Sequence, residues 1–208
     1  MRSRAADRAL LLGVLATWLA GAAASRWFGL WLGLGGVAIV LGAALALVDG
    51  RRRLRPLLGV AARPVAAGLV VGVISAAVTG PLYAAVARAV PGLAAEVDRL
   101  YAHLGATSPA LASLALTVVV LAEEAVWRGW VQGALERQFG ANASVPLTAA
   151  LYGLALAPAG SPLLVLVAFA CGLVWSALRA GTRSLIAPVL AHLLWDHVVL
   201  LLAPLTGR

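Results

Sequence analysis

Residues 109–139 read PALASLALTVVVLAEEAVWRGWVQGALERQF, and this stretch decides the fold. Pro109 in a first turn and Gly140 just past the last apolar residue are the start and stop signals of one helix. At about 1.5 Å per residue, such a helix is longer than the roughly 30 Å hydrocarbon core of a bilayer. Its first half, Pro109 to Ala122, carries no ionisable side chain. Its second half carries Glu123, Glu124, Arg128, Gln132, Glu136 and Arg137. A helix of this composition crosses a membrane and emerges on a polar side, taking acids with it below the surface.

The rest of the chain agrees. Of its 208 residues 62% are hydrophobic and only 12% charged, where a soluble domain carries about 25% charged residues. Further apolar runs are Ala9–Ser25, Trp27–Val48, Val65–Val90, Val145–Ala157, Pro162–Leu178 and Leu185–Leu202. The expected fold class is all-α, a polytopic transmembrane bundle of about seven spans. It divides at residue 107 into N-terminal spans (1–107) and a C-terminal region (108–208), within one integral membrane domain. The segment Pro91–Ser108 mixes Glu96, Asp98, Arg99 and His103 with leucines at near-helical spacing, as an amphipathic surface helix does.

The net charge is +8, and all sixteen basic residues are arginines. In a soluble protein that balance suggests nucleic acid. Here no basic face remains once the spans are removed, so nucleic acid is not expected as a partner. The positive-inside rule explains the arginines instead. It places the N-terminus, the Arg51–Arg55 loop and the Arg179–Arg183 turn in the cytoplasm, in a multi-pass protein of the cell (inner) membrane. The first apolar run is expected to be a retained span rather than a cleaved leader, because a second run follows at once. Cys171 is the only cysteine, so no intrachain disulfide forms; it reads as a small apolar filler.

Loops and helix ends account for most ionisable residues, but not for Glu123, Glu124 and Asp196. A carboxylate at mid-membrane costs about 2.5–3.5 kcal/mol, so three unpaired ones cost roughly 8–10 kcal/mol. They persist only if paired, neutral or useful. Counting from Pro109, Glu123 lies ~21 Å along its helix, and His192 lies ~13 Å from the Arg183 end of the last span, so the two reach similar depth. Glu124 and Arg128 are four apart and can pair, while Glu123 points about 100° away and is free to face a cavity. His192 and Asp196 also share a face. His103 and His197, taken singly, read as surface or helix-end residues. Structural glue between helices is the plainer reading of such acids.

At these residues the sequence resembles the CAAX prenyl protease and bacteriocin-processing (CPBP) family of intramembrane endopeptidases. Glu123-Glu124-Ala125-Val126-Trp127-Arg128 matches its E-E-x-x-x-R motif. Ala187-Pro188 followed by His192-Leu193-Leu194-Trp195-Asp196 matches its A-P-x-x-x-H-x-x-x-D stretch. The resemblance covers roughly Ser108–Leu202. It departs at the second motif, F-x-x-x-H, where Tyr152-Gly153-Leu154-Ala155-Leu156 has leucine in the histidine position.

The resemblance implies hydrolysis of a peptide bond in a membrane-associated peptide or protein. Glu123 would activate the water, with Glu124 as its neighbour anchored by Arg128, and His192 and Asp196 would steady water or oxyanion. Tyr152 and Trp195 would line the binding site. A metalloprotease reading would put a divalent metal such as zinc on Glu123 and His192. Leu156 keeps a second expectation open, an inactive family member that binds or shields a membrane partner. A third is a small transporter or proton relay, against which the lack of paired half-length repeats counts.

Overall fold

The computed structural model describes residues 4–104 and 108–205, and every regular element among them is helical. Helix α1 (Arg4–Leu30) runs through a π turn at Trp31–Gly35 into α2 (Gly36–Arg53). The 42-residue apolar stretch Asp7–Val48 is not one rod. Gly29 has φ 78° and ψ 164°, and the chain doubles back there. Beyond it, a Cβ added to Gly33 would lie 2.6 Å from the Ser25 backbone, and one on Gly21 would lie 2.6 Å from Val37 Cγ2. At the open end Arg53 Nη2 donates to Asp7 Oδ1 at 2.7 Å. The sequence placed this break at Arg26. It falls three residues later because only glycine adopts a positive φ without strain, and Arg26 remains helical.

Helix α3 (Ala62–Ala89) continues through Pro81. Pro64, Gly68 and Gly72 are its buried residues, while Leu69, Val70, Val73, Ile74 and Val78 are exposed, as a lipid-facing helix requires. Helix α4 (Leu93–Leu104) is the expected amphipathic segment; the side chain of His103 lies outside the described residues. Next come α5 (Pro109–Glu124), a π turn at Ala125–Val131 and α6 (Gln132–Phe139), the single pass that opened the sequence reading.

Gly140, at φ 86°, reverses the chain into α7 (Ala141–Ala155), which starts before the expected Val145 and ends before Ala157. Helix α8 (Pro162–Thr182) is capped by Ser161 Oγ, which accepts from Leu164 N at 3.0 Å. Helix α9 (Ile186–Asp196) runs into a third π turn, His197–Leu202. Four stretches are long and apolar enough to cross a membrane, and the first of them folds in two. With the shorter α7 and α9, seven apolar passes form the bundle among the described residues.

Charge pairs gather the helix ends into two groups. Asp7 binds Arg53 and also Arg137, whose Nη2 donates at 3.0 Å. Arg179 pairs with Glu136. Leu185 N donates to Leu57 O at 2.8 Å. The start of α1 and the ends of α2, α6 and α8 therefore share one basic end. At the other end Glu96 Oε1 accepts from Ser161 Oγ at 2.6 Å and from Leu163 N at 3.3 Å, holding α4 against α8. Tyr101 Oη donates to Val199 O at 2.7 Å.

Small residues set the closest approach. On α3, a Cβ on Gly68 would come within 2.5 Å of Ala187 O, and one on Gly72 within 3.0 Å of Ala191 Cα. Gly-x-x-x-Gly on one helix thus fits Ala-x-x-x-Ala on the other, a packing that lets backbones touch in lipid. Gly42 of α2 meets Ala122 likewise, at 3.1 Å from its Cα. These seams place the residues immediately before His192 and Glu123.

Candidate active site

The acids of α5 and the histidine of α9 meet inside the bundle. Glu124 is fully buried, as is Arg128, whose Nη1 donates to Glu124 Oε1 at 3.0 Å. The same oxygen lies 2.9 Å from His192 Nδ1. A carboxylate oxygen accepts, so the proton of this contact sits on Nδ1 and Nε2 is the nitrogen left for other work. His192 Nε2 lies 3.5 Å from Asp196 Oδ2, one helical turn on. The imidazole also stacks on Trp175 of α8, with centroids 5.7 Å apart and planes 24° from parallel.

Glu123 is differently placed. It is half-buried, and Tyr152 Oη donates to its Oε2 at 3.0 Å. His192 and Asp196 are among the charges that act on it electrostatically. The two adjacent glutamates therefore divide as their 100° separation demands. Glu124 is locked between Arg128 and His192. Glu123 keeps an oxygen without a protein hydrogen bond among the described residues. The direct carboxylate contact of His192 is with Glu124, a pairing between helices that spacing along one helix does not reveal.

Aromatic rings close the site on the α1 and α7 sides. The Arg128 guanidinium lies 4.7 Å from the centre of the Tyr152 ring, and Trp127 packs against the same ring at 5.0 Å. Trp18 of α1 meets Trp127 edge-on at 5.2 Å. The Gly140 reversal explains why Arg128 and Tyr152 face each other, since each lies twelve residues from the turn. Leu156 is buried in the apolar cluster that holds Val126, Trp127 and Ala155.

Two further sequence-selected residues serve packing contacts. Trp195 Nε1 donates to Thr79 Oγ1 of α3 at 2.8 Å. His197 Nδ1 donates to Leu193 O at 2.8 Å, which leaves Nε2 to accept from Ser113 Oγ at 3.0 Å.

A polar file leads away from the site. Gln132 follows Arg128 by four residues, is fully buried, and donates from Nε2 to Ser176 O at 2.9 Å. Glu136 follows by four more and pairs with Arg179. Glu124, Arg128, Gln132 and Glu136 recur every four residues, the sequence signal of a continuous polar stripe. Buried atoms without a protein partner also collect here, among them Glu124 Oε2, Arg128 Nε and Nη2, Gln132 Oε1, Thr148 Oγ1 and Ser176 Oγ. Such atoms demand water or a ligand group. Both acidic motifs are followed at once by a π turn, at Ala125 and at His197, a local widening common at functional sites.

A metal fits poorly. Both ring nitrogens of His192 face carboxylates, and Glu123 Oε2 is held by Tyr152. Among the described residues no three His, Cys, Asp or Glu side chains converge as ligands.

Residues 105–198 match the family described as Type II CAAX prenyl endopeptidase Rce1-like. This segment is similar to CAAX-type intramembrane endopeptidases. The matched segment takes in Glu123, Glu124, Arg128, Tyr152, His192 and Asp196, and covers somewhat less than half of the chain. With its apolar helices, the chain is an integral membrane protein. Comparison with curated proteins and with solved structures gave no match.

Proposed function

We propose that the protein is an intramembrane endopeptidase in which Glu123 activates the hydrolytic water. The observation that carries this reading is the division of labour between adjacent carboxylates. Arg128 and His192 both engage Oε1 of fully buried Glu124, while half-buried Glu123 keeps an oxygen free of protein hydrogen bonds and able to take a proton. Water attacks the scissile carbonyl carbon as its proton passes to Glu123. His192, carrying a proton on each ring nitrogen, donates from Nε2 to the tetrahedral oxyanion, and Asp196 balances the imidazolium charge. Collapse breaks the C–N bond, and the proton on Glu123 leaves with the amine. Burial keeps these dipoles fixed, the condition under which such stabilisation is strongest.

The similarity to CAAX prenyl endopeptidases suggests a prenylated C-terminal substrate. The clustering of Arg53, Arg137 and Arg179 at one end, with Asp7 and Glu136 as partners, supports a cytoplasmic N-terminus and Arg51–Arg55 loop. The test uses the full chain in liposomes with a quenched fluorogenic peptide ending in a farnesylated CAAX tetrapeptide. Cleavage by the parent and none by Glu123→Gln is the expected result. Equal rates in the two would remove Glu123 from the mechanism. Buried, apolar Leu156 favours a second reading, an inactive relative that holds a membrane partner. It predicts that the parent binds the same peptide without cutting it.

A further inference from the structure

We infer that the Tyr152 hydroxyl is the positioning group for Glu123, serving on α7 where Leu156 offers no hydrogen-bonding atom. This rests on the endopeptidase reading and adds a residue to it.

The ring is fixed before the hydroxyl is used. Tyr152 is only 6% exposed. One face takes the Arg128 guanidinium at 4.7 Å, and Trp127 packs at 5.0 Å with planes 56° apart. On the α8 side Gly172 packs close to α7, where an added Cβ would lie 3.1 Å from Ala149 Cα and in van der Waals contact with Tyr152 Cδ1 at 3.4 Å. Ring pose and backbone together determine where Oη lies, because a tyrosine has no further heavy-atom freedom. Oη then donates to Glu123 Oε2 at 3.0 Å.

Glu123 needs such a partner. A glutamate side chain left free samples many rotamers, and ordering it costs entropy. A base must sit within hydrogen-bond reach of the proton it takes. With Oε2 held by the phenol, the carboxylate plane is set and Oε1 is left for water. Leu156 lies one helical turn beyond Tyr152 and is buried in the apolar cluster. Its side chain has neither donor nor acceptor, so among these two the phenol alone can orient the acid.

Tyr152→Phe is the informative variant, since it keeps the ring between Arg128 and Trp127 and removes one oxygen. With the farnesylated fluorogenic peptide, kcat is expected to fall about 10–100-fold with KM unchanged, the scale on which misplaced catalytic groups lower rates. A second readout needs no turnover. The carboxyl or carboxylate infrared band that disappears in Glu123→Gln should shift in Tyr152→Phe. If the parent cleaves while Tyr152→Phe changes neither kcat nor that band, the inference is overturned. If the parent cleaves nothing yet the band shifts, the pairing stands and the endopeptidase reading falls. If there is neither cleavage nor shift, both fall.

Discussion

Replacing Arg128 with methionine removes the cation from a fully buried carboxylate. Glu124 and Arg128 have no exposed side-chain surface, and their contact is 3.0 Å. Breaking such a pair by deleting one member costs about 3–5 kcal/mol, because the remaining charge is left without compensation. The guanidinium also covers the Tyr152 ring at 4.7 Å, a contact worth about 2 kcal/mol when desolvated. The larger part of the range is therefore expected. At roughly 2–4 °C per kcal/mol for a domain of this size, a loss of about 4–5 kcal/mol should lower the midpoint of thermal unfolding by about 8–20 °C. The assay is tryptophan fluorescence in detergent, where Trp127 and Trp18 report the adjacent packing. Glu124→Gln completes a double-mutant cycle and retains an oxygen that can accept from His192 Nδ1, so the cycle isolates the arginine contact. A coupling energy above about 1 kcal/mol is expected. Single variants that add to within about 0.5 kcal/mol, the limit for independent sites, would refute the reasoning.

Three other outcomes follow from the geometry. Gly72→Leu forces a side chain into the Ala191 backbone and should cost about 1–3 kcal/mol by overpacking, with peptide cleavage lost through displacement of His192; an unaltered melting midpoint would contradict the seam. Thr79→Val removes the acceptor of the Trp195 indole and should cost about 1 kcal/mol, read as a small drop in midpoint with a shift in tryptophan emission. Cleavage should survive EDTA, because the nitrogens of His192 and one oxygen of Glu123 already have protein partners; loss on chelation with recovery on adding zinc would assign Glu123 and His192 to a metal.

Much of this arrangement was legible from the chain. Long apolar runs gave the passes, and a four-residue offset paired Glu124 with Arg128. Equal depths counted from Pro109 and Arg183 brought the acids and His192 to one level. What depended on contacts between helices was not legible. Spacing on α5 told which glutamate would pair with arginine, but not that the same oxygen would also meet His192. Tyr152 was picked out by its motif position, yet the reach of its hydroxyl depends on the Gly140 reversal that brings α7 against the acids. Nothing in its position along the chain pairs Asp7 with Arg53 and Arg137, which reach it from α2 and α6. The Gly68–Gly72 spacing was visible but carried no meaning without its alanine partner.

That glycine–alanine seam has a consequence for how the protein senses its surroundings. Helix α3 presents most of its surface outward and grips α9 through backbone contact, with Trp195 and Thr79 as a pin. Atoms that touch without intervening side chains cannot absorb a displacement by changing rotamer. A bilayer thinner or thicker than the helix tilts it at modest cost, and any tilt of α3 is transmitted stiffly to the turn bearing His192. A bilayer that tilts α3 is therefore expected to carry the turn bearing His192 with it.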